Sequence, residues 1–226
     1  MTPLAAFWLG RVAYQPTLER MQRLAQARRQ DAIHDTLLLL EHEDVYTLGR
    51  RGSDDDIVAE PAMLQRRGVE IARTDRGGLV TYHGPGQLVA YPILDLGTDA
   101  SPPAYVSKLE RAIISLLAGF GVEAGTVDGL RGVWVGDEKI AAIGIHISGG
   151  ITTHGVAINL DPDLKMFEGI VPCGIPDRGV TSITRLTGAK IPTTLAAKRF
   201  ARALASEIDA QLRWPHPADL MEAASG

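Results

Sequence analysis

The sequence predicts an α+β domain with a mixed, mostly antiparallel sheet flanked by helices. Three observations carry this. Strand-like runs do not alternate strictly with helical ones, as a doubly wound parallel sheet would require. The turn Ser148-Gly149-Gly150 separates two strand-like runs and is a hairpin signal. Two amphipathic stretches, 103–120 and 195–212, have helical periodicity and are long enough to cover a sheet.

In chain order, Thr17 to Arg29 sets Leu18, Met21, Leu24 and Ala25 on one helical stripe. Thr36 to Glu41 and Val45 to Leu48 read as strands around a charged turn at His42 to Asp44. Gly49 to Asp56 is a polar loop, and Pro61 opens a short helix ending at Arg67. Val69 to Arg73 and Leu88 to Leu94 are strand-like, with the glycine-rich stretch Arg76 to Gln87 between them. Pro103 to Phe120 reads as a helix because Val106, Leu109, Ile113, Leu116 and Leu117 share a face and Gly121 follows its end. Gly132 to Val135, Ile140 to Ile147 and Ile151 to Leu160 read as strands, and Leu195 to Leu212 as a second long helix. Residues 1–213 show no repeat or linker and read as one domain. Trp214 to Gly226, with two prolines and a small polar end, is expected to fray.

With 45% hydrophobic and 22% charged residues, the chain can build a core and disorder is not the default. A net charge of −4 argues against nucleic acid as a partner, because phosphate binding needs a basic excess. Arginines nevertheless crowd the first third, at 11, 20, 23, 28, 29, 50, 51, 66, 67, 73 and 76. They read either as a solvated face or as a landing patch for an acidic protein. The single cysteine excludes an intramolecular disulfide and a Cys-rich zinc site, and suits a reducing compartment. The apolar run Leu4 to Leu9 is too short for a signal peptide or a membrane span. The expectation is a cytoplasmic protein with no membrane partner and no metal.

Three segments can carry chemistry. Arg76-Gly77-Gly78-Leu79-Val80-Thr81-Tyr82-His83-Gly84-Pro85-Gly86-Gln87 holds more glycine than one turn needs, and glycine permits close backbone approach to a ligand. A bulged hairpin is the plainer reading. The spacing is not Gly-x-Gly-x-x-Gly, and no Gly-Lys-Ser/Thr occurs, so a nucleotide site is unsupported. Pro172-Cys173-Gly174 puts the lone thiol on a tight loop, as a small buried hydrophobe or as a nucleophile. With an unperturbed pKa of about 8.5, a nucleophilic thiol needs a nearby cation or base. Lys139, His83 and His154 are the candidates. In Thr153 to Asn159, Gly155 and Ala157 share a strand face, and Ala141, Ala142 and Gly144 thin the preceding strand. The two strands form either a slot or a closely packed layer.

Taken together, these segments resemble the lipoyl(octanoyl) transferase family, the octanoyl-[acyl carrier protein]–protein N-octanoyltransferases. The resemblance rests on Arg76 to Gln87, Lys139 to Gly144, His154 to Asn159, and Ile170-Val171-Pro172-Cys173-Gly174-Ile175 followed by Val180-Thr181-Ser182. It runs from about Leu37 to Leu186. It implies the catalytic fold shared with biotin protein ligases and lipoate–protein ligases. It implies Cys173 as the acyl-thioester nucleophile and Lys139 as the partner that lowers its pKa. Acyl-substrate binding would fall to Arg76, Gly77, Gly78, Leu79, Val80, Thr81, Tyr82 and His83, to Ala142, Ile143 and Gly144, and to Gly155, Val156 and Ala157, with His154 as an accessory group. The implied donor is octanoyl-acyl carrier protein. The implied acceptors are lipoyl domains of 2-oxoacid dehydrogenase complexes and the glycine cleavage H protein, and no cofactor is implied. An ATP-dependent lipoate or biotin ligase is the alternative within the same superfamily. The sequence departs from the family pattern at Gly149-Gly150, where relatives often carry a basic residue.

Overall fold

The computed structural model describes residues 2–171, 178–216 and 218–220. Pro172, Cys173 and Gly174 therefore lie outside the described residues. The main sheet is built from β1 (Thr2–Val12), β2 (Asp35–His42), β6 (Gln87–Ile93), β7 (Gly125–Val127), β8 (Leu130–Val135), β9 (Glu138–Ser148), β10 (Ile151–Asn159) and β11 (Ala210–Arg213). Its order is β11-β1-β2-β6-β10-β9-β8-β7. The pairs β11–β1 and β1–β2 are parallel and the others antiparallel, so the mixed, mostly antiparallel α+β class is the one observed. A second sheet, β4-β3-β5, joins β3 (Val45–Leu48), β4 (Glu70–Arg73) and β5 (Val80–His83).

Helices cover both faces of the main sheet. Leu37 to Leu40 of β2 form an unbroken apolar run because the strand is buried on both sides. Leu37 and Leu39 face helices α3 (Pro102–Ala118) and α5 (Thr193–Glu207), packing with Leu109, Ile113, Phe200 and Leu204. Leu38 and Leu40 face α1 (Tyr14–Arg29) and pack with Met21 and Leu24. The small sheet has its own cluster around Tyr46, Leu48, Val80 and Tyr82, next to the short helix α2 (Pro61–Arg67) and the turn Leu164–Gly169. The helix α4 (Ile183–Thr187) leads into α5.

Three strands differ from the sequence reading. Leu4 to Leu9 belongs to β1, whose parallel partner β2 lies beyond α1, so no local signal marks it. The helix expected to reach Leu212 stops at Glu207. Asp209 then takes a left-handed φ of 53°, which turns the chain into β11 beside β1. β7 is a short edge strand that folds back on β8 through Gly129 at φ 76°. In the tail, Leu220 packs into the α1 cluster. No helix among the described residues is long and apolar enough to cross a membrane.

One polar group is sealed into this framework. His42, at the end of β2, is fully buried. Its Nδ1–H donates to the Val12 carbonyl at 3.0 Å, so Nε2 accepts from the Tyr91 hydroxyl at 2.8 Å. Burial pushes its pKa down to about 4.

Two stability measurements follow. Phe200→Ala, at a fully buried site, should cost about 3–5 kcal/mol in urea unfolding. His42 is neutral when folded and has a pKa near 6.5 when unfolded, so the unfolded chain binds the extra proton as pH falls. Its contribution is present above pH 6.5 and is lost as pH falls toward about 4, by up to about 3 kcal/mol. His42→Gln should flatten stability against pH over that interval, and an unchanged slope would contradict a neutral imidazole.

Candidate active site

The glycine-rich segment forms a loop, residues 76–79, that crosses β9 before entering β5. Arg76 turns inward and is only 7% exposed. Its Nη2 donates to the Thr47 carbonyl at 2.5 Å and to Thr47 Oγ1 at 2.8 Å, and its Nε reaches the same hydroxyl at 3.2 Å. The loop is held by backbone bonds on both sides. Gly77 N–H donates to Ile145 of β9, while Arg50 and Arg51 donate to Arg76 and Gly78. Gly78 has a φ of 97°, a conformation that needs glycine. A Cβ on Gly144 would lie 3.1 Å from both Arg76 Cδ and the Gly77 carbonyl, so Gly144 is the seat on which this loop rests.

Beneath the loop lies a cavity of about 470 Å³. The sequence-predicted segments converge on it: Arg76 to Thr81 and His83, Ala142 to Gly144, and Gly155 to Ala157 all contribute to its wall, with Lys139 and His154. Ala142 pairs with Ala157 across β9 and β10, leaving a wall of methyl groups. The slot reading holds only in part. Gly155 is small because its Cβ position is taken by the Ala90 carbonyl and Pro92 of β6. Ala141 points to the opposite face, into the α3–α5 core. Tyr82 is the motif residue the structure turns away. Its ring packs against Tyr46 and Phe167, and its hydroxyl donates to Asp44 at 2.6 Å. Sequence reading missed Tyr14, Tyr91 and Arg131 on the cavity wall, and it named Arg50 and Arg51 only among the crowded arginines of the first third. Tyr91 carried a signal of its own, as an aromatic with a polar tip in the apolar run Leu88 to Leu94.

Around His83 the surroundings are aromatic, and the buried Arg76 guanidinium is the charge beside them. Tyr14 stacks 6.5 Å from His83, and His42 lies 5.9 Å from His83. Gln87 donates its amide to the Tyr82 carbonyl and to Asn159, so its oxygen accepts from His83 Nδ1 at 3.1 Å. This fixes one tautomer, and burial holds the His83 pKa well below its usual value. His154 has a left-handed φ of 57° within β10, a strained conformation for a non-glycine residue. Its Nε2–H donates to Asp75 Oδ1 at 2.7 Å, and burial lowers its pKa too. The same bond holds the Asp75 carboxyl below its ordinary range. Both histidines are thus neutral and weak as bases.

Lys139, second residue of β9, borders the main cavity and also a smaller void of about 40 Å³. Its Nζ lies 4.7 Å from the Trp134 ring centroid, and Arg178 Cζ lies 5.4 Å from the same ring. Gly132, at φ 113°, lies against the β9 backbone next to the lysine stem. A Cβ there would lie 2.5 Å from the Ala141 carbonyl and 3.5 Å from Lys139 Cε. The Lys139 backbone N–H donates to Gly179, and its carbonyl accepts from Thr181. On the other side of residues 172–177, Val171 N–H donates to Asp56 and Ile170 bridges Ile57. Among the described residues, no cluster of His, Cys, Asp and Glu suited to a metal occurs.

Comparison with known proteins agrees with this architecture. The lipoyl protein ligase A/B catalytic domain matches residues 13–205. An octanoyltransferase of Chloroflexus aggregans is 49% identical over 213 residues, covering 92% of this chain and 96% of that protein. The bipartite lipoate protein ligase of Thermoplasma acidophilum superposes with a TM-score of 0.76 at 16% identity, covering 99% of this chain and 91% of that one. The biotin protein ligase of Aquifex aeolicus does so with a TM-score of 0.55 at 14% identity, covering 91% and 70%. The two solved structures share the fold, and the sequence matches decide the relationship: the chain belongs to the family of lipoyl protein ligase A/B catalytic domains, on its octanoyltransferase branch, and is an enzyme of the acyltransferase class.

Proposed function

We propose that this enzyme transfers an octanoyl group from octanoyl-acyl carrier protein to a lysine of a lipoyl domain, through a thioester on Cys173. The octanoyl group and the lipoylation setting follow the 49%-identical relative and the family. The observation that carries the finer reading is the position of Lys139. It sits where the cavity meets the chain that leaves the Pro172-Cys173-Gly174 segment, with residues 179 and 181 bonded to its own backbone. Cys173 precedes Gly179 by six residues, so the covalent chain keeps the two within about 20 Å.

In the first half-reaction the Cys173 thiolate attacks the acyl carbonyl carbon. The bond from that carbon to the carrier sulfur breaks, and the carrier thiolate leaves and takes up a proton. One thioester replaces another, so the step is near thermoneutral. In the second, the neutral amine of the acceptor lysine attacks the Cys173 thioester. The C–S bond breaks, an amide forms, and the proton lost by nitrogen returns to the thiolate directly or through Lys139. The cationic Lys139 favours the thiolate by Coulomb attraction. It acts as a base only in its neutral form. No phosphoryl donor is consumed in either step.

The cavity volume lies within the range of small-molecule sites, about 300–1,000 Å³. The Ala142–Ala157 wall suits an alkyl chain. Each buried methylene contributes about 0.8 kcal/mol, so a chain two carbons shorter should bind on the order of tenfold more weakly.

Incubation with octanoyl-acyl carrier protein should add the mass of one octanoyl group, located on Cys173 by peptide mapping and absent in Cys173→Ala. An unchanged intact mass would sink the acyl-enzyme. Activity of Cys173→Ala with ATP and free octanoate would favour a ligase instead. Lys139→Ala should slow alkylation of Cys173 at neutral pH by about tenfold while His83→Ala leaves it near wild type, since a nearby cation lowers a thiol pKa by about a unit or more. The reverse pattern would reassign the partner of the thiol.

A further inference from the structure

Three arginines meet at the mouth of the cavity. Arg50 and Arg51 follow β3, and their backbone N–H groups are bonded to the carbonyls of Arg76 and Gly78 at 3.0 and 3.2 Å. Arg131 comes from β8, at the far side of the sheet order. Its Nη1 lies 3.8 Å from the position a Cβ on Gly77 would take. Segments distant in sequence thus bring three arginines to the glycine-rich loop. All three residues are exposed and line the opening.

Four arginines of the first third are committed to carboxylates. Arg11 pairs with Glu41, Arg28 with Asp31, Asp35 and Asp95, Arg67 with Asp163, and Arg73 with Asp54. Among the described residues, Arg50, Arg51 and Arg131 make no ion pair with a carboxylate of the chain. Arg20, Arg23, Arg29 and Arg66 make no such pair either, so what sets Arg50, Arg51 and Arg131 apart is that they line the cavity. Like charges gathered without counter-charges are unfavourable, unless a partner supplies the opposite sign. A protein of net charge −4 is a poor binder of acidic proteins in general, so attraction confined to this rim also orients the partner.

We propose that Arg50, Arg51 and Arg131 form the docking site for an acidic surface of the protein that delivers the acyl chain. This rests on the acyl-transfer reading above. The donor must thread its acyl group through the opening that these residues surround, and its reacting thioester is neutral. The acceptor instead presents an amine that is cationic in water, which a cationic rim repels. Guanidinium groups suit the task because each presents a fixed fork of donors to a carboxylate.

The test compares three donors with wild type and Arg50→Glu/Arg131→Glu: octanoyl-acyl carrier protein, octanoyl-coenzyme A, and octanoyl-N-acetylcysteamine, which is neutral and small. The expected result is a KM for the carrier protein raised by about tenfold or more with kcat little changed, as when charge complementarity at a rim is reversed. Salt should weaken the carrier reaction of wild type and not that of the variant, and the variant should lose preference for the carrier protein over the neutral thioester. An unchanged carrier KM overturns the site. So does an equal loss with the neutral thioester, which would assign these arginines to the chemistry. A loss shared with octanoyl-coenzyme A would make a phosphate the ligand and overturn the acidic protein surface. If the double variant does not fold by circular dichroism, Arg50→Gln/Arg51→Gln/Arg131→Gln reads the same comparison. Failure of wild type to be acylated by any donor overturns the transferase reading, and the docking site with it.

Discussion

The site depends on one buried contact, the Arg76 guanidinium against the carbonyl and hydroxyl of Thr47. That contact joins two sheets that share no strand. Thr47 belongs to the small sheet, while the loop carrying Arg76 is bonded to β9 of the large one. Burying a guanidinium costs free energy unless its donors are satisfied. The loop can therefore take this path only where the Thr47 oxygens await it and where Gly144 leaves space below. The volume under the loop follows from this tie and not from any single lining residue. A motif that reads in sequence as a ligand cradle is also, physically, a brace.

In and behind the cavity wall, three histidines are kept neutral by burial and by fixed partners. His42, His83 and His154 each have a fixed partner, Val12, Gln87 and Asp75 respectively, and burial lowers the pKa of all three. With imidazole protons committed to carbonyl, amide and carboxylate acceptors, these rings offer faces more than charges. Cationic character lies instead with the buried Arg76, held by Thr47, with Lys139, and with the exposed arginines of the wall.

Much of the fold was legible because local chemistry marks it. Val45–Leu48 and Pro61–Arg67 fall where the sequence reading put them, since a charged turn bounds the strand and Pro61 and Gly68 punctuate the helix. β1 and β11 were not legible, because a parallel partner distant in the chain makes each a strand. The same division applies to the site. Composition and resemblance picked out 76–83, 142–144 and 155–157, and they converge. What composition could not supply was direction. Tyr82 and Tyr91 are both tyrosines in strands, yet one braces the small sheet and the other faces the cavity. Gly144 and Gly155 look like openings in a slot, and both are occupied by neighbouring chain. Arg131 was invisible because only the register of β8 carries it across to Gly77.

Gly132 has a consequence for how variants of this protein are interpreted. It lies in the strand beside Lys139, and nothing about its sequence position marks it as important. Yet any side chain there must displace the Ala141 carbonyl and accept a φ of 113° that favours glycine. A substitution at this position would leave every candidate side chain chemically intact while disturbing the β8–β9 pairing from which Lys139 projects. Such an allele would be misjudged by any screen that scores residues by their own functional groups.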